Sequence, residues 1–296
     1  MSSIFQIIKF IYKHPLAKKH LIKAFVRFLF WQISQRLNPK PRIHNLTSNS
    51  KIWVAKGMTG VTGSIYTGLH EFEDMCFLLH FLRKDDLFAD IGANVGIYSV
   101  LASADCRAKT LTFEPAKSTF EWIEKNKIIN KVEHLVQSYN IGLGEKEESL
   151  KFSIGLDTIN HVIISEQDRL DTDIVFIKTF DSIAIKEGVP ILVKIDVEGF
   201  ETPVIRGMQN TLDNPNLKAI IIELNGSGSH YGYEEKEIHN NLIAKRFIPY
   251  SYNPFLRILK KEDSYNNLNT IYIRDFDFVA ERIEKADKIN IFGESF

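Results

Sequence analysis

Five short apolar runs in this chain stop at a glycine turn or a polar residue: Leu87–Ile91 before Gly92, Thr110–Phe113 at Glu114, His134–Ser138 near Asn140, Ile191–Ile195 at Asp196, and Ala219–Ile222 at Glu223. Helical patterns separate most of them. Val95–Ala102 is one. Another opens at Ser118, where Ser118–Glu121 fits a capping box. Others cover Phe180–Lys186, a stretch from Thr202–Pro203 to about Leu212, and Glu234–Arg246; Thr270–Ile273 reads as a late strand. Apolar strands alternating with helices require a mostly parallel sheet covered on both faces. In such α/β sheets ligands bind at the carboxyl ends of the strands, the edge where this chain carries its polar residues.

The rest of the chain sets limits on that fold. At 296 residues it holds one large domain, or one domain with an appendage. The net charge of zero argues against nucleic acid as a partner. Cys76 and Cys106 match no metal or redox spacing, which fits a reducing, cytoplasmic compartment. No Asp or Glu precedes Glu71, whereas Lys and Arg recur from Lys9 to Arg42. Charges interrupt the apolar runs there too often for a span of roughly 20 residues, and no signal-peptide cleavage site follows. Lys19, Lys23 and Arg27 form one basic helical stripe, with Ile22, Val26, Leu29 and Ile33 beside it. Two arrangements suit this pattern: residues 1–42 contact an anionic membrane from its inner face, or the helices dock on the body with the basic residues toward water. Residues 1–50 are taken as a helical extension and 51–296 as the catalytic body. Lys51–Gly68 reads as a turn-linked hairpin or lead-in, and Phe72–Phe81 as a helix whose start carries His70, Glu71, Glu73 and Asp74.

The stretch ADIGANVGIYS, residues 89–99, is a strand–turn–helix device that brings backbone close to a ligand. A dinucleotide fingerprint would need glycine at 94 and 97, where Asn94 and Ile97 stand. Asn94 tolerates left-handed backbone. Asp90 suits a cationic or amine-bearing ligand better than a pyrophosphate. Glu114 can accept both hydroxyls of a ribose. In LVKIDVEGFE, residues 192–201, Leu192, Lys194 and Asp196 share one strand face, and a buried Lys194 needs a partner. Asp90, Lys194, Asp196 and Glu223 would then gather at one edge, as catalytic groups or as a structural ion-pair network. Asp196 reads as general base or metal ligand. Leu150–Ile154, His161–Ile164 and Ile174–Lys178 read as a β insertion, with His161 a second candidate base or a structural histidine. The loop Asn225–Tyr233 either covers substrate or simply connects, and Tyr252, Asn253, Phe255 and Arg257 form a polar-aromatic cluster open to the same two readings.

Taken in order over roughly Leu69 to Asp275, DIGANVGIYS, FEP, NIGLGEKEESLKF, VKIDVEGFE and IIIELN resemble the FkbM family of S-adenosylmethionine-dependent methyltransferases. The segment HPLAKKHLIKAFVRFLFWQISQRL is similar to a lead found in some bacterial members. The resemblance implies a Rossmann-like class I methyltransferase sheet of seven strands, mostly parallel with the last antiparallel. It implies S-adenosylmethionine as cofactor and an O-methyl acceptor, typically a sugar or polyketide hydroxyl, read here as a small-molecule or glycan acceptor: a sugar, a glycolipid or a cell-surface glycan. Asp90, Gly92, Asn94 and Gly96 would surround the methionine part, Glu114 the ribose, and the segment around Asn140 the adenine. Asp196 is the first choice for deprotonation, with His161 the alternative, while Lys194 would neutralise a carboxylate or position substrate. A divalent metal is left open, with Asp196 and Glu223 its ligands if one binds. Two rival readings stand: a nicotinamide-dependent oxidoreductase, and a non-catalytic membrane-associated protein keeping the fold. Nothing in the sequence sets an oligomeric state.

Overall fold

The computed structural model describes residues 4–153, 161–163 and 172–296. It opens with helices α1 (Ile4–Lys13), α2 (Pro15–Lys19) and α3 (Leu21–Leu37). Their inner faces carry Ile11, Leu16, Ala24, Phe28 and Trp31 into the same core as Phe72, Phe77 and Phe81. The helices dock on the body, as one of the two expected arrangements has it, but the basic stripe does not stay whole on the outer face. Arg27 turns inward: its Nε and Nη2 donate to the Tyr66 carbonyl at 3.1 and 2.8 Å. Lys19 pairs with Glu294 at 2.8 Å and lies over the Phe255 ring. Ile22, Val26, Leu29 and Ile33 instead face solvent. The i, i+4, i+7 row Ala24–Phe28–Trp31 wins the docked position because its two aromatics remove more apolar surface from water. No helix among the described residues is long and apolar enough to cross a membrane.

A hairpin follows, β1 (Arg42–Asn45) with β2 (Lys51–Val54), antiparallel in the register Arg42 to Val54. The glycine-rich stretch after it is a helix, α4 (Thr59–Thr67), so the hairpin lies upstream of where the turn residues suggested. Packing overrides propensity here: Val61, Ser64, Tyr66 and Thr67 are buried, and a Cβ at Gly63 would stand 2.9 Å from that of His70. Then come α5 (Phe72–Phe81), β3 (Leu87–Ile91), α6 (Ile97–Val100) continued by a π-helical turn at Leu101–Asp105, and β4 (Lys109–Phe113). Next are α7 (Lys117–Asn130), β5 (Val136–Tyr139), β6 (Gly142–Leu143), β7 (Glu148–Ser153), β8 (Thr172–Lys178), α8 (Phe180–Glu187) and β9 (Leu192–Ile195). The chain ends through α9 (Glu201–Arg206), α10 (Gln209–Asp213), β10 (Ala219–Glu223), α11 (Glu235–Ala244), β11 (Ile248–Asn253), β12 (Ile258–Lys261), β13 (Asn269–Ile273), α12 (Phe276–Glu284) and the short pair β14 (Asn290–Ile291) and β15 (Glu294–Ser295).

The main sheet runs β12-β11-β13-β10-β9-β3-β4-β5. Strands β5, β4, β3, β9 and β10 are parallel, and β13 is antiparallel to β10. This is the mostly parallel α/β sheet that the resemblance implies, with β13 antiparallel. It has eight strands where seven were expected, because the β11–β12 hairpin adds one at the edge. Strands β3, β9 and β10 are buried almost throughout, which explains their unbroken apolar runs. The strand order reverses between β3 and β9, so the two diverging connections leave a crevice there.

The insertion forms a separate sheet, β6-β8-β7, joined by an isolated bridge between Phe152 and Val162. Ile154 and Ile164, where two of the expected strands end, lie outside the described residues. Two helices start elsewhere than the sequence places them. Helix α7 starts at Lys117 after Ala116, without the Ser118 capping box, and the Glu114 carboxylate accepts the Ala116 N–H. Helix α9 starts at Glu201, not at Thr202; the Glu201 carboxylate accepts the N–H groups of Val197 and Gly199. The Tyr252–Arg257 cluster is structural. Tyr252 is buried against His80 at 2.6 Å, and Arg257 donates to carbonyls that end α12.

Candidate functional site

The crevice between β3 and β9 opens into a pocket of about 350 Å³, inside the range usual for small-molecule sites. Its floor is the turn after β3. Gly92 and Ala93 donate their N–H groups to the Phe113 carbonyl, which ties the turn to β4. Gly92 has φ +78°, and a Cβ on it would stand 1.8 Å from the Asp196 carbonyl oxygen. Glycine here lets β3 and β9 close on each other. Asn94 adopts φ +51°, accepts the Val95 N–H on its own side chain, and donates its backbone N–H to Glu114 at 2.9 Å. Gly96, φ +82°, precedes α6 and packs on Ile123.

Glu114 lines the pocket at the end of β4. Its two oxygens accept the N–H groups of Asn94 and Ala116, one each. Burial pushes this carboxyl up to about 8. At the end of β9, Lys194 donates to Asp196 at 2.8 Å; Lys194 is 3% exposed. Burial disfavours its charge, but the carboxylates of Asp196, Glu71 and Asp90 more than offset that and pull the ammonium upward. Lys194 is therefore a fixed cation and no proton acceptor. Glu223, at the end of β10, is raised by burial and by the neighbouring Asp196 and Glu198 carboxylates.

Three predicted residues fall elsewhere. Asp90, 1% exposed, is not among the residues that line the pocket; its Oδ2 accepts both the N–H and the hydroxyl of Ser99 and so braces α6, while its Oδ1 has no hydrogen-bond partner among the described residues. Asn140 pins the turn that carries Glu114 by donating to the carbonyls of Glu114 and Pro115, both at 2.9 Å. His161 sits at the insertion, its N–H on Ser153 and its ring 5.8 Å from that of His230. The loop after β10 reaches the same place, with the Tyr231 hydroxyl donating to the Val162 carbonyl.

Other residues complete the wall without having been singled out for chemistry. Glu198 is the clearest. It has φ +52° and is followed by Gly199 at φ +98°, and a non-glycine residue held there is a mark of functional sites. The Glu–Gly pair just past Asp196 was the available signal. One oxygen each of Asp196, Glu198 and Glu223 lies within 4.8 Å of the others. His70 and Glu71 were read as a helix start, yet both line the pocket. His70 accepts or donates at Ser64 Oγ, 3.0 Å away, and burial lowers its ring.

The buried acids set a pH dependence. Burial pushes Glu114 and Asp74 each up to about 8. Raised folded values mean their contribution to stability is complete in acid and is lost as pH climbs toward 8. His14, His44 and His80 act oppositely: burial lowers each from 6.5 to about 4, so their contribution is complete above 6.5 and lost as pH falls. The acids thus dominate above pH 6.5. Tm is expected to fall between about pH 6.5 and 8.5, with Glu114→Gln flattening part of the descent. A Tm that rises over this interval would contradict the assignment.

The profile of the methyltransferase FkbM domain matches residues 90–249, from Asp90 through the three strands that end at Glu114, Asp196 and Glu223 and into β11. The chain belongs to the FkbM methyltransferase family. Among curated relatives of this FkbM chain, the hexuronic acid methyltransferase AglP of Haloferax volcanii is 28% identical over 167 residues, covering 54% of this chain and 63% of that one. Methyltransferase 1 of Beauveria bassiana is 26% identical over 162 residues, covering 47% and 65%. The chain thus spans less than two thirds of the length of these relatives. A solved methyltransferase FkbM from Methylobacillus flagellatus KT is 14% identical, with a TM-score of 0.44 over 72% of this chain and 52% of that one.

Proposed function

We propose that this protein transfers a methyl group from S-adenosylmethionine to a sugar hydroxyl, with Asp196 as general base. One observation carries the reading: a single pocket at the β3–β9 crevice joins Glu114, at the end of β4, to the Lys194–Asp196 pair, at the end of β9. When bound, the cofactor supplies a methyl already activated for displacement. The chain's work is then to hold it, align the acceptor and take a proton. Each Glu114 oxygen accepts one N–H and keeps capacity for a ribose hydroxyl. A narrow apolar recess of about 30 Å³, lined by Pro115, Leu143, Phe152 and Phe200, adjoins the pocket and would have to widen to take adenine. Asp196, partly exposed, can accept the proton of an acceptor hydroxyl, while Lys194 holds its carboxylate in place. The name of the Haloferax relative concerns a hexuronic acid, which supports a sugar as acceptor.

Asp196, Glu198 and Glu223 also suit a divalent cation, since hard cations take clustered carboxylate oxygens. A cation bound there would acidify the acceptor hydroxyl and relieve Asp196 of the proton. The first test of the reading is calorimetric: S-adenosylhomocysteine should bind at about micromolar strength and NAD should give no heat of binding.

We further propose that residues 1–42 rest on an anionic membrane, now through the exposed apolar residues of α1 and α3 rather than the Lys19–Arg27 stripe. Phe5, Ile22, Phe30 and Leu37 are each more than half exposed, while Lys9, Lys13, Lys18, Lys23 and Arg36 surround them with positive charge. Co-sedimentation with phosphatidylserine vesicles should fall at least about tenfold in Phe5→Ser/Phe30→Ser. Equal sedimentation of the variant, or equal binding to uncharged vesicles, would rule the contact out.

A further inference from the structure

A second cavity, of about 710 Å³, lies between α1, α3 and α4. Thr59 and His70 line both it and the methyl-transfer pocket, so the two spaces share a wall. Every residue that lines it lies before residue 71, outside the stretch 90–249 that defines the family. The FkbM core can therefore be kept while this cavity changes.

Its lining has a definite chemistry. Phe10, Trp31 and Tyr66 supply aromatic surface, against which the C–H face of a sugar ring can pack. Gln35 is 5% exposed, and among the described residues neither its Nε2 nor its Oε1 has a hydrogen-bond partner. A buried amide with both ends unpaired is costly, so a ligand that drew this side chain toward the adjoining cavity would gain its hydrogen bonds. Hydroxyl groups suit it, because each can donate to Oε1 and accept from Nε2. The charged side chains that line the cavity, Arg36 and Lys56, are both cations. Two cations lining one cavity favour a carboxylate, which a guanidinium can bind through two parallel hydrogen bonds.

We propose that this cavity is the acceptor subsite and that it binds a sugar of the uronic-acid type, carboxylate toward Arg36 and Lys56, ring against Trp31, hydroxyls on Gln35. The assignment rests on the methyl-transfer reading for its meaning as an acceptor site, but the binding itself can be measured without turnover. A ligand that passed Thr59 and His70, which line both spaces, would bring the far side of the same glycan to Asp196.

The test uses the full chain, labelled with ¹⁵N, and three probes: methyl β-D-glucuronide, methyl β-D-glucoside and inorganic phosphate. The indole N–H of Trp31 reports on the cavity, and those of Trp53 and Trp122 serve as internal controls. Glucuronide should shift the Trp31 signal saturably. The glucoside should bind at least about tenfold more weakly, as should glucuronide to Arg36→Ala/Lys56→Ala. Gln35→Leu should weaken both sugars, and because Gln35 is buried its thermal melting is recorded alongside; the Arg36/Lys56 variant changes solvent-facing residues and keeps the test independent of folding. Both variants should bind S-adenosylhomocysteine as the parent does. Glucuronide no tighter than glucoside, an unmoved Trp31 signal, or phosphate competing as well as glucuronide would each overturn the proposal. Glucuronide binding without S-adenosylhomocysteine binding would instead remove the methyl-transfer reading and leave a sugar site.

Discussion

Asp196→Asn should lower methyl transfer by at least about 100-fold while leaving S-adenosylhomocysteine affinity within about threefold, the signature of a lost general base. The substitution removes a proton acceptor and also one of the charges that offset the buried Lys194 ammonium, leaving Glu71 and Asp90 to do so, so thermal melting is recorded alongside. Asn offers an oxygen to Lys194 in place of the Oδ2 that now lies 2.8 Å away, so the buried ammonium keeps a partner. The backbone of Asp196, which donates to Ile91 and crowds Gly92 through its carbonyl, is untouched. A change in rate therefore reports on the carboxylate. If alignment of the acceptor alone supplied the rate, the variant would lose less than about tenfold and the role would pass elsewhere. Single-turnover rates with saturating cofactor separate the two outcomes.

Gly92→Ala should unfold the protein or cost more than about 4 kcal/mol, against a usual total of about 5–15 kcal/mol. Two penalties combine. The residue has φ +78°, where a Cβ costs about 1 kcal/mol. The larger one is the 1.8 Å approach to the Asp196 carbonyl, a backbone atom that cannot rotate aside. Relief requires β3 and β9 to part, which breaks the Asp196 N–H to Ile91 bond at 3.0 Å and opens the floor of the pocket. Gly226→Ala is the matched control: φ is +90°, yet nothing lies within 4 Å of the added Cβ. Urea denaturation should show about 1 kcal/mol for Gly226→Ala and several times more for Gly92→Ala. Similar losses at both positions would mean that the close approach carries no energy.

The sheet and its binding edge were legible because buried parallel strands write themselves as apolar runs, and their ends must be polar where a ligand sits. Lys194 was legible as a cation needing a partner because period-two alternation puts Asp196 on its face. What the sequence hid was long-range. Asp90 reads as a ligand residue by its position at a strand end, but its orientation depends on Ser99, nine residues on. His70 and Glu71 precede β3 and α5 carries them to the pocket only through tertiary packing. The glycines of α4 look like turn residues until Phe10 and His70 are seen to need the space at Gly63. On α3, three faces compete for burial, and periodicity could not rank an aliphatic stripe below one carrying Phe28 and Trp31. The second cavity exists only because of that choice.

The central claim is that the β3–β9 crevice holds a nucleoside cofactor through Glu114, and calorimetric titration of S-adenosylhomocysteine into the parent protein and Glu114→Ala tests it most directly. The parent should bind at about micromolar strength and Glu114→Ala at least about tenfold more weakly, the worth of two lost hydrogen bonds to a carboxylate. In the parent, binding below pH 8 should also release protons, because ribose hydroxyls favour the ionised form of a carboxyl that burial holds up to about 8. A parent that binds no S-adenosylhomocysteine, or a Glu114→Ala variant that binds it as tightly as the parent, would contradict the account.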